Sequence, residues 1–239
     1  MPMPAAPALN PIQQAFLEEV LALKPRVAAF DCDGTLWDLD SGEGFFYWEL
    51  DRGLIPGPTA AWARDRYEQY RRGEVAEEQM CGEMVAIHAG LREHAVRAAA
   101  IAFVEERIAA LTFPEMAILV ARLRAQQSQI WAVSSTNQWV VEEAARRLGI
   151  PCERVLAAAV VVKHGIVTDE LVRVPSGPGK AVALRKHLDA PPDAAFGNSI
   201  HDLEMLELAR RPFAVNPNPD LEKLALEKGW RIYKPVIGR

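Results

Sequence analysis

The chain has 239 residues, half of them hydrophobic and a quarter charged, with 27 Lys and Arg against 32 Asp and Glu for a net charge of −5. This size and balance suit one large domain, or one core with a modest insertion, and exclude a disordered chain, a collagen-like repeat and a disulfide-stapled miniprotein. They give no general basic footprint for nucleic acid, and the pairs Arg71-Arg72, Arg146-Arg147 and Arg210-Arg211 read as solvated helix faces or ends. Cys32, Cys81 and Cys152 have no metal-ligand spacing, and their odd number argues against a complete disulfide framework. No apolar run reaches the ~20 residues of a membrane span, and the start lacks the regions of a secretion signal. The expectation is a cytoplasmic protein that engages neither nucleic acid nor membrane.

Residues 1–10 are rich in Pro and Ala and read as loose. Asn10-Pro11 then has the form of an N-cap with Pro at the first helical position, and Ile12, Ala15, Phe16, Val20 and Leu23 space one helix face until Pro25. Val27-Ala28-Ala29-Phe30 is too short for a helix and predicts a buried strand ending at Asp31. Residues 43–111 read as mostly helical, with apolar spacing in 67–70, 80–87 and 101–111. After Pro114 the spacing predicts helix 114–127, strand 129–134 and helix 138–148. Strands near 155–161 and 166–172 flank a His164-Gly165 hairpin turn. Helix 179–188, strand 193–197, helix 202–208, strand 212–215, helix 218–228 and strand 230–233 follow. Such alternation predicts a mainly parallel sheet covered on both faces.

The chemistry collects at strand ends. In Asp31-Cys32-Asp33-Gly34-Thr35 two carboxylates one residue apart share one side of an extended chain, so keeping both ionised calls for a counter-cation. Gly34 allows a tight turn and close approach of a ligand to backbone amides. Ile130–Val133 runs into Ser134-Ser135-Thr136-Asn137, where hydroxyls and N–H groups can hold a phosphate oxygen or simply cap a helix. Lys180 stands at a helix start, against the helix dipole, and a bound anion or a carboxylate would explain it. Ala194–Phe196 runs into Gly197-Asn198-Ser199-Ile200-His201-Asp202, where an amide oxygen and a carboxylate four residues apart suit Mg²⁺ rather than zinc. His201 has no second His or Cys ligand nearby and reads as structural or exposed.

In this order the four segments resemble the haloacid dehalogenase superfamily, and most closely its phosphoserine-phosphatase-like branch, over about residues 27–233. The resemblance implies an α/β fold: a Rossmann-like parallel sheet core from residues 1–40 and 113–239, with an inserted helical cap domain at 41–112. It implies an Mg²⁺-dependent hydrolase of a small phosphate ester. Asp31 would be the nucleophile, Asp33 the acid and base, and Ser134 and Lys180 the phosphoryl-holding groups, with Gly34 and Ser135 beside them. Mg²⁺ would be held by the Asp31 carboxylate, the Asp33 carbonyl and Asn198, with Asp202 orienting Lys180 or a metal-bound water. The acid at Asp33 favours an ester over a carbon–halogen bond, because an alkoxide needs a proton to leave and a halide does not.

The chain departs from the family's pattern in two places. Asn198 stands where most relatives carry Asp, which removes one charge and implies a greater need for magnesium. Asp40 and nearby Glu43 sit where the branch grips a substrate amine, yet no arginine for a carboxylate occurs around residues 80–85. That combination points to an amine-bearing phosphate without a carboxylate, such as phosphocholine or phosphoethanolamine. Trp37, Phe45, Phe46, Tyr47 and Trp48 would either line its pocket or pack cap on core. Two rivals stay open: a phosphotransferase of the same family, and a phospho-ligand-binding protein with a weakened site. A monomer or a homodimer is expected.

Overall fold

The computed structural model describes residues 9–235, so the reading of residues 1–8 as loose lies outside the described residues. Helix α1 (Pro11–Ala22) begins at the expected cap: the Asn10 side chain accepts from the N–H groups of Ile12 and Gln13, and Gln13 accepts in return from the Asn10 N–H. Strand β1 (Val27–Phe30) follows. After a turn over residues 31–40 come four helices, α2 (Ser41–Asp51), α3 (Gly57–Arg71), α4 (Glu77–Ala86) and α5 (Glu93–Phe103). The apolar spacing over 101–111 is not one helix. The pitch widens to a π-helical segment at Val104–Ile108 and then tightens to a 3₁₀ turn at Ala109–Leu111. This change keeps Val104 and Ile108 buried while Glu105 and Glu106 reach outward to Arg147 and Arg52.

The second half alternates as expected: α6 (Pro114–Ala125), β2 (Gln129–Asn137), α7 (Gln138–Arg147), β3 (Val155–Lys163), β4 (Ile166–Arg173) and α8 (Pro178–Arg185). Then come β5 (Ala194–Gly197), α9 (Leu203–Leu208), β6 (Arg211–Val215), α10 (Pro219–Glu227) and β7 (Arg231–Tyr233). Strand β2 runs three residues beyond the expected 134. Its register on β3 shifts between Val133 and Asn137, so Ser134, Ser135 and Thr136 belong to an irregular strand end, and Asn137 is the cap of α7. His164 and Gly165 both take positive φ, +53° and +76°, as a two-residue turn between β3 and β4 demands.

The sheet has the order β4-β3-β2-β1-β5-β6-β7, parallel except for the β3–β4 edge. Strand β1 lies centrally between β2 and β5, and the chain leaves these strands in opposite directions. Open α/β sheets form their crevice at such a switch point, beyond the carboxyl ends of the strands. Phe30, Phe196 and Phe213, in register on three adjacent strands, stack at 4.2 and 4.8 Å directly beneath it. Helix α2 is buried on two sides. Phe45 and Trp48 join the main core, whereas Phe46 and Leu50 pack with Tyr67 and Met80 in a smaller cluster.

The basic pairs form no free patch. Arg71, Arg72, Arg146, Arg147 and Arg210 each meet an acidic side chain within 4 Å. Among the described residues, no helix is long and apolar enough to cross a membrane.

Candidate active site

Asp31 continues the β1 ladder, its N–H donating to the Phe196 carbonyl at 2.8 Å, which fixes the side chain at the crevice floor. Its Oδ1 accepts from Lys180 Nζ at 2.7 Å and its Oδ2 from the Thr35 hydroxyl at 3.0 Å. Lys180 also donates to Asp202 Oδ1. All three side chains of this Asp31–Lys180–Asp202 chain are at most 6% exposed. Burial alone would lower the lysine, but Asp202 and Asp31 hold it above its ordinary value and charged. The puzzling lysine at a helix start is thus explained by two carboxylates 149 and 22 residues away. Asp202 spends its other oxygen on the N–H groups of Asn198 and Ser199, at 2.9 and 3.0 Å. Both of its oxygens are therefore committed to Lys180 and to its own turn, which leaves it poorly placed as a metal ligand.

Asp33 points toward α2. Its Oδ1 accepts from Trp37 Nε1 at 2.6 Å and from the Ser41 hydroxyl, and its Oδ2 from the Thr136 hydroxyl at 2.8 Å. Burial, then the nearby Asp40 carboxylate, push Asp33 up to about 6 despite these donors. Burial, then Asp202, push Asp31 up to about 7 against the pull of Lys180. Asp31 and Asp202 share one ammonium, and Asp33 stands close enough to repel Asp31, so the excess negative charge is what a divalent cation would relieve.

Gly34 takes φ +73°, and its N–H is spent on the Trp37 carbonyl at 2.8 Å, so it offers no amide to a ligand. What it offers is room: a Cβ there would fall 2.0 Å from Asn198 Nδ2. The Asn198 amide thus lies against the turn after Asp33, uniting the ends of β1 and β5. Asp31, Asp33 and Asn198 line one cavity, and carboxylate, carbonyl and amide oxygens of such residues are the donor type that suits Mg²⁺. No group of three or more His, Cys, Asp or Glu side chains is arranged around a metal position among the described residues.

These groups open on a cavity of about 560 Å³ between the sheet end and the helical segment. Ser134, Ser135, Asp40 and Glu43 all line it. Ser134 Oγ is buried and accepts from the Thr136 N–H at 3.1 Å. Asp40 caps α2, with Oδ1 accepting from the Glu43 N–H, and remains exposed to the cavity. Lys180 is the only Lys or Arg in the lining. Of the five aromatics expected there, Phe45 and Phe46 line the cavity and Trp37, Tyr47 and Trp48 do not. Trp37 is buried holding Asp33, and Trp48 donates to Glu106 beneath the Arg52 guanidinium.

Several residues escape the sequence reading. Ser41 and Thr136 hold Asp33; Tyr67 and Tyr70 form the wall facing the sheet; Asn216, at φ +48°, donates to the Gly34 carbonyl at 3.2 Å. His201 is half exposed and pairs at 2.7 Å with Glu77 of α4, which also accepts from Ser176. The Ala214-Val215-Asn216-Pro217-Asn218-Pro219 run resembles the phosphoserine-phosphatase-like branch and so marks the segment that holds Asn216, and the apolar i, i+4 column of α2 is the signal for Ser41.

Residues 28–207 match the haloacid dehalogenase-like hydrolases. The chain is 30% identical to the inhibition of morphological differentiation protein of Streptomyces azureus, over 89% of this chain and 80% of that one. It is 25% identical to a histidinol-phosphatase of Neisseria meningitidis serogroup C, over 87% and 97%. Its fold is shared with a substrate-bound phosphoserine phosphatase complex at a TM-score of 0.58 and 18% identity, over 87% and 92%. With its motifs set around one crevice in this fold, the chain belongs to the haloacid dehalogenase-like hydrolase family.

Proposed function

We propose that the protein is an Mg²⁺-dependent phosphomonoesterase that carries the phosphoryl group on Asp31, with residues 41–112 acting as a cap over residues 1–40 and 113–239. The observation that carries this reading is the Asp31 carboxylate, gripped by Lys180 and Thr35 at the floor of a cavity shared with Asp33, Ser134 and Asn198.

An Asp31 oxygen attacks phosphorus, forming an Asp31–phosphorus bond as the ester oxygen–phosphorus bond breaks. Asp33, raised to about 6, gives its proton to the leaving oxygen, then takes one from the water that attacks the phosphoryl group and frees Asp31. The Ser41 and Thr136 hydroxyls can reverse from donor to acceptor as Asp33 gains a proton, whereas Trp37 Nε1 donates only and keeps the carboxyl in place. Lys180 offsets the charge of Asp31 so that an anionic phosphate can approach, and with Ser134 it holds the phosphoryl oxygens as charge builds. Asp202 positions Lys180. The Asp31 carboxylate, the Asp33 carbonyl and Asn198 would hold Mg²⁺, which would supply charge neutralisation at the phosphate when bound.

The substrate is a small ester whose leaving group bears an amine and lacks a carboxylate. Asp40 and Glu43 face the cavity, and no cation of the cap answers them there. A relative named histidinol-phosphatase supports this class, since histidinol is an amino alcohol without a carboxylate. Phosphate release from an aryl phosphate, followed in magnesium and in chelator for the wild type and Asn198→Asp, tests the reading. Turnover in magnesium alone, saturating at lower magnesium in Asn198→Asp, is expected. No turnover in either protein at any magnesium level would reject it in favour of a binding protein.

A further inference from the structure

Helix α2 carries Ser41, Phe45 and Glu49 at i, i+4 and i+8, one stripe along its buried side. Ser41 touches Asp33, and Phe45 and Glu49 line the cavity beyond it. Glu49 is 1% exposed, and its Oε2 lies 2.7 Å from Nε2 of the wholly buried His88. His88 Nδ1 faces the Val85 carbonyl at 3.0 Å. A carbonyl only accepts, so Nδ1 carries hydrogen, and a single proton serves the Nε2–Oε2 axis. The pair is neutral overall whichever atom holds that proton, which makes its burial tolerable. The imidazole is fixed between Phe45, stacked at 6.2 Å, and the edge of Trp139.

The second carboxyl oxygen, Glu49 Oε1, makes no hydrogen bond among the described residues, and the side chain, although almost wholly buried, borders the cavity. An acceptor at the cavity edge with no protein donor is placed to take a hydrogen bond from a ligand. Eight helical residues span roughly 12 Å of axis, and a glutamate leans back toward the helix start, so the acceptor stands roughly 8–10 Å beyond Asp33.

We infer that Glu49 is a specificity-determining residue, accepting a hydrogen bond from an N–H donor at the end of the leaving group farthest from phosphorus. The inference rests on the phosphomonoesterase reading and extends it. Asp40 and Glu43 take the near amine, and Glu49, held by His88, measures the length of the leaving group. An ester whose ammonium lies two carbons from the ester oxygen is too short to reach it. An ester with an amine near the phosphate and a heterocyclic N–H farther out fits both places.

The test compares histidinol phosphate, O-phosphoethanolamine and p-nitrophenyl phosphate as substrates of the wild type, Glu49→Gln and Glu49→Met. The expected result is a loss of at least about tenfold in kcat/KM for histidinol phosphate in Glu49→Met, carried by KM, and a smaller loss in Glu49→Gln. Turnover of the other two esters is expected to stay within about twofold. Calorimetric binding of histidinol itself, weakened in both variants, checks the contact without any catalysis. Unchanged ester preference and unchanged histidinol binding in folded variants would overturn the inference and leave Glu49–His88 a packing pair. Absence of turnover with all three esters, with histidinol binding still lost on substitution, would instead overturn the phosphatase reading alone.

Discussion

The two walls of the cavity are built differently. On the sheet side, Asp31, Asp33, Lys180 and Asp202 each make at least two polar contacts that fix the carboxylate or ammonium in one orientation. On the helical side, aromatic rings, methionines and a self-neutralised Glu49–His88 pair line most of the wall, with Glu43 and the His201-paired Glu77 as its other carboxylates. A preorganised electrostatic wall suits a fixed reaction, and an apolar wall with a few placed acceptors suits a choice among leaving groups. The lesson is a division of labour. On the proposed function, substitutions in the sheet wall are expected to change turnover of every ester, and those in the helical wall to change which ester is preferred.

The largest effect that could break this division is at the nucleophile. Asp31→Asn keeps the side-chain volume and an acceptor for Thr35 but cannot take up phosphorus. Its phosphate release is expected to fall by more than about a thousandfold for all esters alike. Because burial raises Asp31 well above the usual carboxylate range, thermal unfolding of the metal-free variant is expected to show little loss of stability. Lys180→Met comes next. It strands Asp31 and Asp202 without a counter-charge, so denaturant unfolding at neutral pH should show a loss of about 3–5 kcal/mol together with lost turnover.

Thr136→Val sharpens the comparison within the sheet wall. It removes the one hydrogen-bond partner of Asp33 Oδ2 among the described residues and is expected to cost about 1–3 kcal/mol of stability. Alkyl phosphates, whose leaving oxygen needs a proton, should lose more kcat than aryl phosphates, which leave readily without one. An equal loss for both would show that Thr136 serves packing and not the acid.

The smallest expected effect lies where the two walls meet. Burial would raise Glu77, but hydrogen bonds from His201 and Ser176 prevail and hold it below its ordinary value. A carboxylate lowered on folding adds stability above the ordinary glutamate value of 4.5, and that contribution is lost as pH falls through the folded value. Glu77→Gln is therefore expected to cost about 1 kcal/mol at neutral pH, and the difference from wild type should vanish in acid unfolding series.

The sheet wall was the more legible in the sequence, for a physical reason. Short apolar runs at Val27–Phe30, Ile130–Val133 and Ala194–Phe196 declare buried strands, and the polar residues that end them must lie at one sheet edge. The partners of those residues were less legible. Thr136 and Asp33 are 103 residues apart, and nothing local to either signals the bond. The polar run after Val133 reads as a strand end, but β2 passes through a register shift there and ends only at Asn137, the cap of α7. The apolar repeat over 101–111 fits a helix of constant pitch and says nothing of the π-helical segment there. In the cap, Glu49 stands in the otherwise apolar stretch from Phe45 to Leu50, a polar residue on a buried stripe, but its partner His88 comes from a different helix end.

The central claim is that phosphorus passes through Asp31. Acid quenching of a reaction in the steady state, followed by mass mapping of the peptide around Asp31, tests it most directly. The account predicts a phosphoryl adduct on Asp31 that forms in magnesium, is absent in chelator and is absent from Asp31→Asn. Sustained hydrolysis with no adduct at this position, or hydrolysis by Asp31→Asn at the wild-type rate, would contradict it.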